Sequence, residues 1–441
     1  MLNSSPKRLL TSLRFVALQR ASAASHSTPV DEAILGFCCA LARQCFLNEY
    51  ILAQTGDELA QATRLAEALQ QAILSGEKVC ELKLAVSGAY FPLHTLPGTH
   101  TLLERRWPTP VADLLNQQIG EPGAERDLLA SIPTLTAIDD AISRAVQRQY
   151  EENPYPRWQR AESPGEPRTI DQLLRGRFPL ASFREIGGGA VDVLIAGCGT
   201  GQQAIEFAQQ VIHERMLAVD LSRASLAYAK RKASSCAVEK IEFAQADILK
   251  LPSIDRTFDL ILVSGVLHHM QDPFAGWRAL VALLRPSGVM YVGLYSELAR
   301  SQIKAARAFI ARRGFRPTLS DIRLCRQEIM ELPDGELEKD VVRFSDFFSA
   351  SECRDLLFHV QEHRHTLPQI AAFLSAHDLT LLGFDLPPAV SQRYAARFPV
   401  DRAMTDLSLW EVFEQENPQI FVGMYQFWVQ KRHCPSDERR P

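Results

Sequence analysis

The chain has 441 residues, 46% hydrophobic and 23% charged, an ordinary globular balance long enough for two or three domains. Its formal net charge of −4 gives no general attraction for nucleic acid or an acidic membrane surface. Nine cysteines, odd in number and without paired metal spacing, fit a reducing compartment better than a disulfide framework. No charge-free apolar run reaches the ~18 residues of a membrane helix, so no membrane span and a cytoplasmic location are expected.

Lys7, Arg8, Arg14 and Arg20, with several serines and no acid before Asp31, give residues 1–30 the composition of a mitochondrial transit peptide. Leu9, Leu10, Leu13 and Val16 equally form the apolar face of an amphipathic helix. The helix is preferred because the following residues continue in the same style. Residues 1–150 read as a helical domain, an expected surface for a protein partner. Ile34, Cys38, Leu41 and Cys45 recur at helical spacing, as do Leu65, Leu69, Ala72 and Ile73, and Ile138, Ile142 and Val146 carry a helix up to Tyr150.

Residues 151–185 form a proline-rich connector, with "ENPYPRW" and "ESPGEPR" placing four prolines between Asn153 and Pro167. Pro154 and Pro156 stiffen the backbone, and a stiff segment loses little entropy on closing over a ligand. In a lid, Tyr155 and Trp158 would supply flat apolar surface and Arg157 a partner for a carboxylate. In a plain linker the aromatics would tuck into the core.

From residue 186 to 296 short apolar runs alternate with amphipathic segments, the pattern of parallel strands with crossover helices. Strands are expected at Val191–Ala196, Met216–Asp220, Ile241–Ala244, Phe258–Ser264 and Gly288–Tyr295. Helices are expected near Gly201–Val211, Arg223–Ala233 and Pro273–Leu284. The first strand ends in Gly197, Cys198, Gly199, Thr200 and Gly201. Gln202 stands where a dinucleotide fingerprint needs its third spaced glycine, and no Lys-Ser or Lys-Thr follows to hold phosphates. Asp220 ends the second strand, where a carboxylate can accept ribose hydroxyls, though NAD sites share that acid.

The order of the remaining segments discriminates better. "FAQADI" puts Asp247 just past the third strand, "FDLILVSGVLHHM" ends the fourth strand at Ser264 in a short loop, and "LLRPSGVMYV" leads into the fifth. From Asp192 to about Ser296 the sequence resembles the class I S-adenosylmethionine-dependent methyltransferases. The ENPYPRW segment and the MYQFWVQ ending resemble bacterial members with a helical N-terminal region, some carrying tetratricopeptide repeats, although no repeat is visible here. The resemblance implies a Rossmann-like α/β sheet with an antiparallel last strand, preceded by an all-α N-terminal domain. It implies S-adenosylmethionine as cofactor, its methionyl part on the turn Gly197, Cys198, Gly199, Gly201 with Ser264 nearby, its ribose on Asp220 and its adenine on Asp247. A cofactor without phosphates needs no Lys, and the amides opening the helix near Thr200 suit its carboxylate.

His268 and His269 lie in the loop after the fourth strand and are the candidates for taking a proton from the acceptor. Neighbouring side chains face different ways, so at most one points at the substrate. Residues 297–366 read as a substrate-side insertion. In it "HVQEH" matches an H-x-x-E-H pattern, with His359 and His363 spaced for one helix face and His365 close by, and a plain helix is preferred to a metal site. The cations Arg300, Lys304, Arg307, Arg312, Arg313 and Arg316 are followed by Glu328, Glu331, Asp334, Glu336 and Glu338, so solvated helix faces are expected instead of an RNA surface. Residues 367–432 complete the sheet. Methyl transfer to an unidentified small-molecule or protein acceptor is the expected function. The alternative is a scaffold or sensor that binds S-adenosylmethionine without turnover, its helical domain binding a partner.

Overall fold

The computed structural model describes residues 5–24, 31–161, 165–187 and 189–432. Its sheet consists of β1 (Val191–Ala196), β2 (His213–Asp220), β3 (Ile241–Gln245), β4 (Phe258–Ser264), β5 (Leu284–Leu294), β6 (Leu379–Phe384) and β7 (Tyr425–Lys431), in the order β3-β2-β1-β4-β5-β7-β6. The first five strands are parallel, and β7 runs antiparallel between β5 and β6. This is the expected Rossmann-like α/β sheet with an antiparallel last strand. Register follows the apolar runs: Val193, Leu194 and Ile195 of β1 face Leu260, Ile261 and Leu262 of β4 on one side and Met216, Leu217 and Ala218 of β2 on the other. A strand paired on both edges and covered on both faces must be apolar throughout.

Asp192 is the charged exception in that run. It sits near the N-terminal end of β1, where Arg215 and Arg285 reach its carboxylate at 3.0 and 2.8 Å. The hydrogen bond from Arg215 and the two nearby guanidinium charges hold it below the usual carboxylate range, against its burial.

The chain divides into two compact units, Met1–Asp127 with Gln302–His359 and Leu128–Ser301 with Val360–Pro441. The helical domain expected to end at residue 150 therefore stops earlier. Helix Ala141–Glu152 belongs to the sheet unit, where it packs against helix Arg223–Ser235. Most of the expected insertion instead groups with the N-terminal helices. In that helical unit, Asp31 and Thr55 cap the helices Glu32–Leu47 and Gly56–Leu74 through their side chains, as short polar residues do at helix starts. The first helix, Ser5–Ala23, buries Arg14, Ala17, Leu18 and Ala21, whereas Leu9 and Val16 are 58% and 60% exposed. The apolar face expected from Leu9 to Val16 is thus rotated, because Arg14 faces inward. Its guanidinium donates to Ala53 O at 2.7 Å and Glu58 Oε1 at 3.0 Å. Residues 1–4 and 25–30 of the suspected targeting segment lie outside the described residues.

The expected helix across "HVQEH" is absent. Helix Ala350–Phe358 ends before it, and residues 360–364 are not helical, so His359 and His363 do not share a helix face. Instead the segment pairs with the end of β5: His365 N donates to Tyr295 O at 2.8 Å and Glu297 N to His365 O at 2.9 Å. The Glu362 side chain, itself buried, joins Arg300 at 3.0 Å and Arg364 at 3.2 Å. Arg300 is therefore buried and not on a solvated face. Arg312, Arg313 and Arg316 meet Glu338, Glu328 and Asp321, as solvated helix faces do. Among the described residues no helix is long and apolar enough to cross a membrane.

His365 is buried with its ring edge-on to Phe274, 5.2 Å away. Burial, with a smaller contribution from His363, pushes its pKa down to about 4. An unfolded histidine takes its proton near pH 6.5, so this stabilisation is complete above about pH 6.5 and is lost as pH falls towards the folded value. In denaturant unfolding between pH 7 and pH 5, the wild type is expected to lose about 2 kcal/mol more than His365→Leu. Parallel pH profiles would show that the ring does not resist protonation.

Candidate cofactor-binding site

The site begins where β1 runs out. Gly197 N and Cys198 N donate to Val219 O of β2 at 2.8 and 2.9 Å, and Gly199 N donates to Asp220 Oδ2 at 2.9 Å. The other oxygen of Asp220 accepts Ser222 N at 2.9 Å. The acid ending β2 thus holds the turn ending β1. Burial raises the Asp220 carboxyl while these backbone donors lower it, and burial wins. The Cys198 thiol is pushed well up by burial and by the Asp220 charge, which leaves it a packing group.

Each glycine of the turn makes room for protein. A Cβ on Gly197 would lie 2.3 Å from the Val266 side chain, on Gly199 2.7 Å from Tyr155 O, and on Gly201 2.6 Å from Ala229 Cβ. Gly199 also has φ +52°, a region that β-carbon sterics disfavour.

A cavity of about 410 Å³ opens beside this turn, within the range of small-ligand sites. Gly197, Cys198, Gly199, Asp220, Asp247, Ser264 and His269 all line it. Gly201 and His268 are not among its lining residues. Asp247 is 2% exposed; its Oδ1 accepts Leu249 N at 3.0 Å and its backbone N donates to Thr136 Oγ1 at 2.8 Å. Its Oδ2 is buried with no hydrogen-bond partner.

The two histidines diverge. His269 faces the cavity, and its Nδ1 lies 2.8 Å from Gln361 O. A carbonyl only accepts, so Nδ1 carries the proton and Nε2 is the basic atom. His268 is fully buried and stacks on Tyr295 at 3.6 Å between centroids, with Arg300 3.5 Å from the same ring. His268 O accepts His363 N at 2.7 Å. The segment read as a metal motif therefore buttresses the histidine loop.

The family model described as a methyltransferase domain matches residues 193–288, the stretch that carries the turn, Asp220, Asp247 and the histidine loop. Residues 193–288 thus match a methyltransferase domain, of the kind the sequence resemblance led one to expect. An uncharacterized protein of Synechococcus sp. is 27% identical over 257 residues, 56% of this chain and 61% of its own length. A ubiquinone biosynthesis O-methyltransferase of Methylocella silvestris is 30% identical over 135 residues, 30% of this chain and 48% of its own. Of solved structures, PKMT2 from Rickettsia typhi in complex with AdoHcy aligns with TM-score 0.46 and 17% identity, over 60% of this chain and 54% of that one. The chain thus spans about half to three fifths of the length of these relatives.

Several walls of the cavity come from outside the matched domain. Ser143, Val146 and Tyr150 of helix Ala141–Glu152, Tyr155 and Pro156 of the connector, and Met424 before β7 all line it. Tyr150 and Tyr155 stack with centroids 6.2 Å apart. The connector is fastened to the glycine turn: Pro156 O accepts Thr200 Oγ1, and Trp158 Nε1 donates to Thr200 O at 3.1 Å. Tyr228 OH donates to Trp158 O at 2.6 Å. Trp158 is thus tucked into the core, as a linker would have it, while Tyr155 faces the cavity, as a lid would. Arg157 is not among the cavity's lining residues, so its expected place beside a ligand carboxylate is not seen. Helix periodicity exposed the helix but not its face, and nothing in the sequence pointed to Met424.

Gly199→Ala sets a methyl group against Tyr155 O. It is expected to cost about 1–3 kcal/mol and to speed amide exchange at residues 153–158. A folded variant with unchanged melting temperature and exchange would show that the connector does not press on this turn.

Proposed function

We propose that this chain transfers a methyl group from S-adenosylmethionine to an acceptor whose nucleophile enters the cavity beside His269. The observation that carries the reading is the convergence, in one cavity, of the glycine turn ending β1, the acid ending β2 and the acid following β3. Open parallel sheets bind ligands at this edge, outside the carboxyl ends of the strands.

The residues fit an adenosyl ligand without phosphates. No Lys follows the glycines, whereas Asp247 Oδ2 is a buried acceptor lacking a donor, and a desolvated carboxylate oxygen needs one. In this reading Asp247 accepts from the exocyclic amine of adenine. Asp220 accepts from the ribose hydroxyls while it holds Gly199. Cys198, Ser264 and the amides opening helix Gln202–Gln210 face the methionyl part, the latter suiting its carboxylate. Gly201 serves by letting Ala229 approach. When bound, S-adenosylmethionine supplies a methyl group on a sulfonium, already a good leaving group. The protein's task is then to hold the acceptor in line and, where the acceptor carries a proton, to receive it. His269 suits that role, because the Gln361 carbonyl fixes its tautomer. His268 is assigned to supporting the loop.

Asp220→Ala is expected to weaken S-adenosylmethionine binding tenfold or more, from about 1.5–3 kcal/mol of charge-assisted hydrogen bonding, as read by calorimetry on folded protein. Unchanged affinity removes Asp220 from the site. The wild type incubated with S-adenosylmethionine and cell extract should release S-adenosylhomocysteine; binding without release would favour the scaffold. Once an acceptor is in hand, His269→Gln should keep cofactor affinity and lose turnover by about 10²–10⁴-fold. Normal turnover would leave His269 a structural residue.

A further inference from the structure

Two side-chain atoms of the cavity's lining residues are buried without a hydrogen-bond partner: Asp247 Oδ2 and Ser225 Oγ. Ser225 lies in the first turn of helix Arg223–Ser235 and is 1% exposed. A serine hydroxyl inside a helix ordinarily bonds back to the carbonyl four residues earlier. Here that carbonyl, Leu221 O, receives Gln245 Nε2 at 2.9 Å. The nearby Ser222 Oγ is engaged by Ser225 N at 3.0 Å. Ser225 lines the cavity and its hydroxyl has no partner in the protein, and a buried hydroxyl without a partner costs free energy that a ligand can recover.

Both residues line the cavity at its β3 side, on elements that pack together. The helix carrying Ser225 packs on β3, whose end leads to Asp247, and Ala246 N donates to Asp220 O at 3.0 Å. This side is fixed from outside the matched domain. Glu151 accepts Arg223 N at 2.6 Å and Ala224 N at 3.1 Å, capping the helix that bears Ser225. Gln245 Oε1 accepts Thr134 Oγ1 at 3.0 Å, and Ser143 and Val146 close the wall. Such a rigid surround pre-orders the hydroxyl.

We infer that Ser225 is a second reader of the nucleoside base, its hydroxyl donating to a ring nitrogen of adenine while the Asp247 carboxylate accepts from the exocyclic amine. Adenine presents donor and acceptor groups on its rim, and this side of the cavity offers one group of each kind. The site should then select adenine over a 6-oxopurine, whose oxygen would meet the carboxylate oxygen of Asp247. The inference rests on S-adenosylmethionine occupying this cavity.

Calorimetry with S-adenosylhomocysteine tests it, using the wild type, Ser225→Ala and Ser225→Cys, together with the 1-deaza, 3-deaza, 7-deaza and inosine forms of the ligand. If the wild type binds no S-adenosylhomocysteine, the cofactor reading fails and takes this inference with it. If the wild type binds, Ser225→Ala should weaken affinity about threefold to tenfold, with Ser225→Cys between. One deaza form should cost the wild type a similar factor and cost Ser225→Ala nothing further. The inosine form should bind the wild type at least tenfold more weakly. Ser225→Ala with wild-type melting temperature and wild-type affinity overturns the inference, as does a loss equal for every ligand.

Discussion

The close approach of three chain segments to the end of β1 is the constraint on which the site depends. Val266 from the loop after β4, Tyr155 O from the connector and Ala229 from helix Arg223–Ser235 each come so near a glycine that a side chain there would collide. A glycine-rich turn after a buried strand is usually explained by what the ligand needs. Here the crowding comes from the protein itself, and the glycines let one turn join β1, β4, the connector and the helix after β2. The cavity opens beside these pieces, which meet without side chains between them.

Three aspartates show how position along a parallel sheet sets electrostatic character. Asp192, near the N-terminal end of β1, is neutralised by two guanidinium groups and held ionised. Asp220, at the opposite end of β2, faces backbone amides, and burial raises its carboxyl despite them. Asp247 has one oxygen satisfied by Leu249 N and one left open. The first acid is neutralised within the fold, the second ties the glycine turn to the end of β2, and the third lines the cavity with one oxygen unpaired. The paired histidines separate likewise: one ring is buried and stacked on Tyr295, its neighbour lines the cavity.

The strands of the domain were legible because a buried parallel strand must be apolar along its whole length, and β1 and β4 fall where their apolar runs fall. The turn, Asp220, Asp247 and Ser264 were legible because each follows directly from a strand end. What escaped was set by packing between distant segments. Helix Ala141–Glu152 was visible as a periodic pattern, yet its membership of the sheet unit depends on Glu151 capping a helix some seventy residues on. Met424 reaches the cavity only because β7 inserts between β5 and β6. "HVQEH" read as helical from histidine spacing, but bonding to the carbonyls of Tyr295 and His268 drew it into an extended path.

The way the sheet unit closes behind residues 302–359 has a consequence for how such a chain can be edited. The excursion leaves just after Arg300 and returns at Val360, and its two ends are stitched within the sheet unit by the Ser296–His365 bridge, the Glu297 N to His365 O bond and the Arg300–Glu362 pair at 3.0 Å. Closing a longer loop between fixed ends adds little entropy cost, growing only with the logarithm of its length. The stitched neck therefore works as a splice point: inserted sequence can lengthen, shorten or be exchanged beyond it while the register of β5 and β7 stays the same. A chain built this way can gain new helices between the fifth and sixth strands without rebuilding the sheet that carries its chemistry.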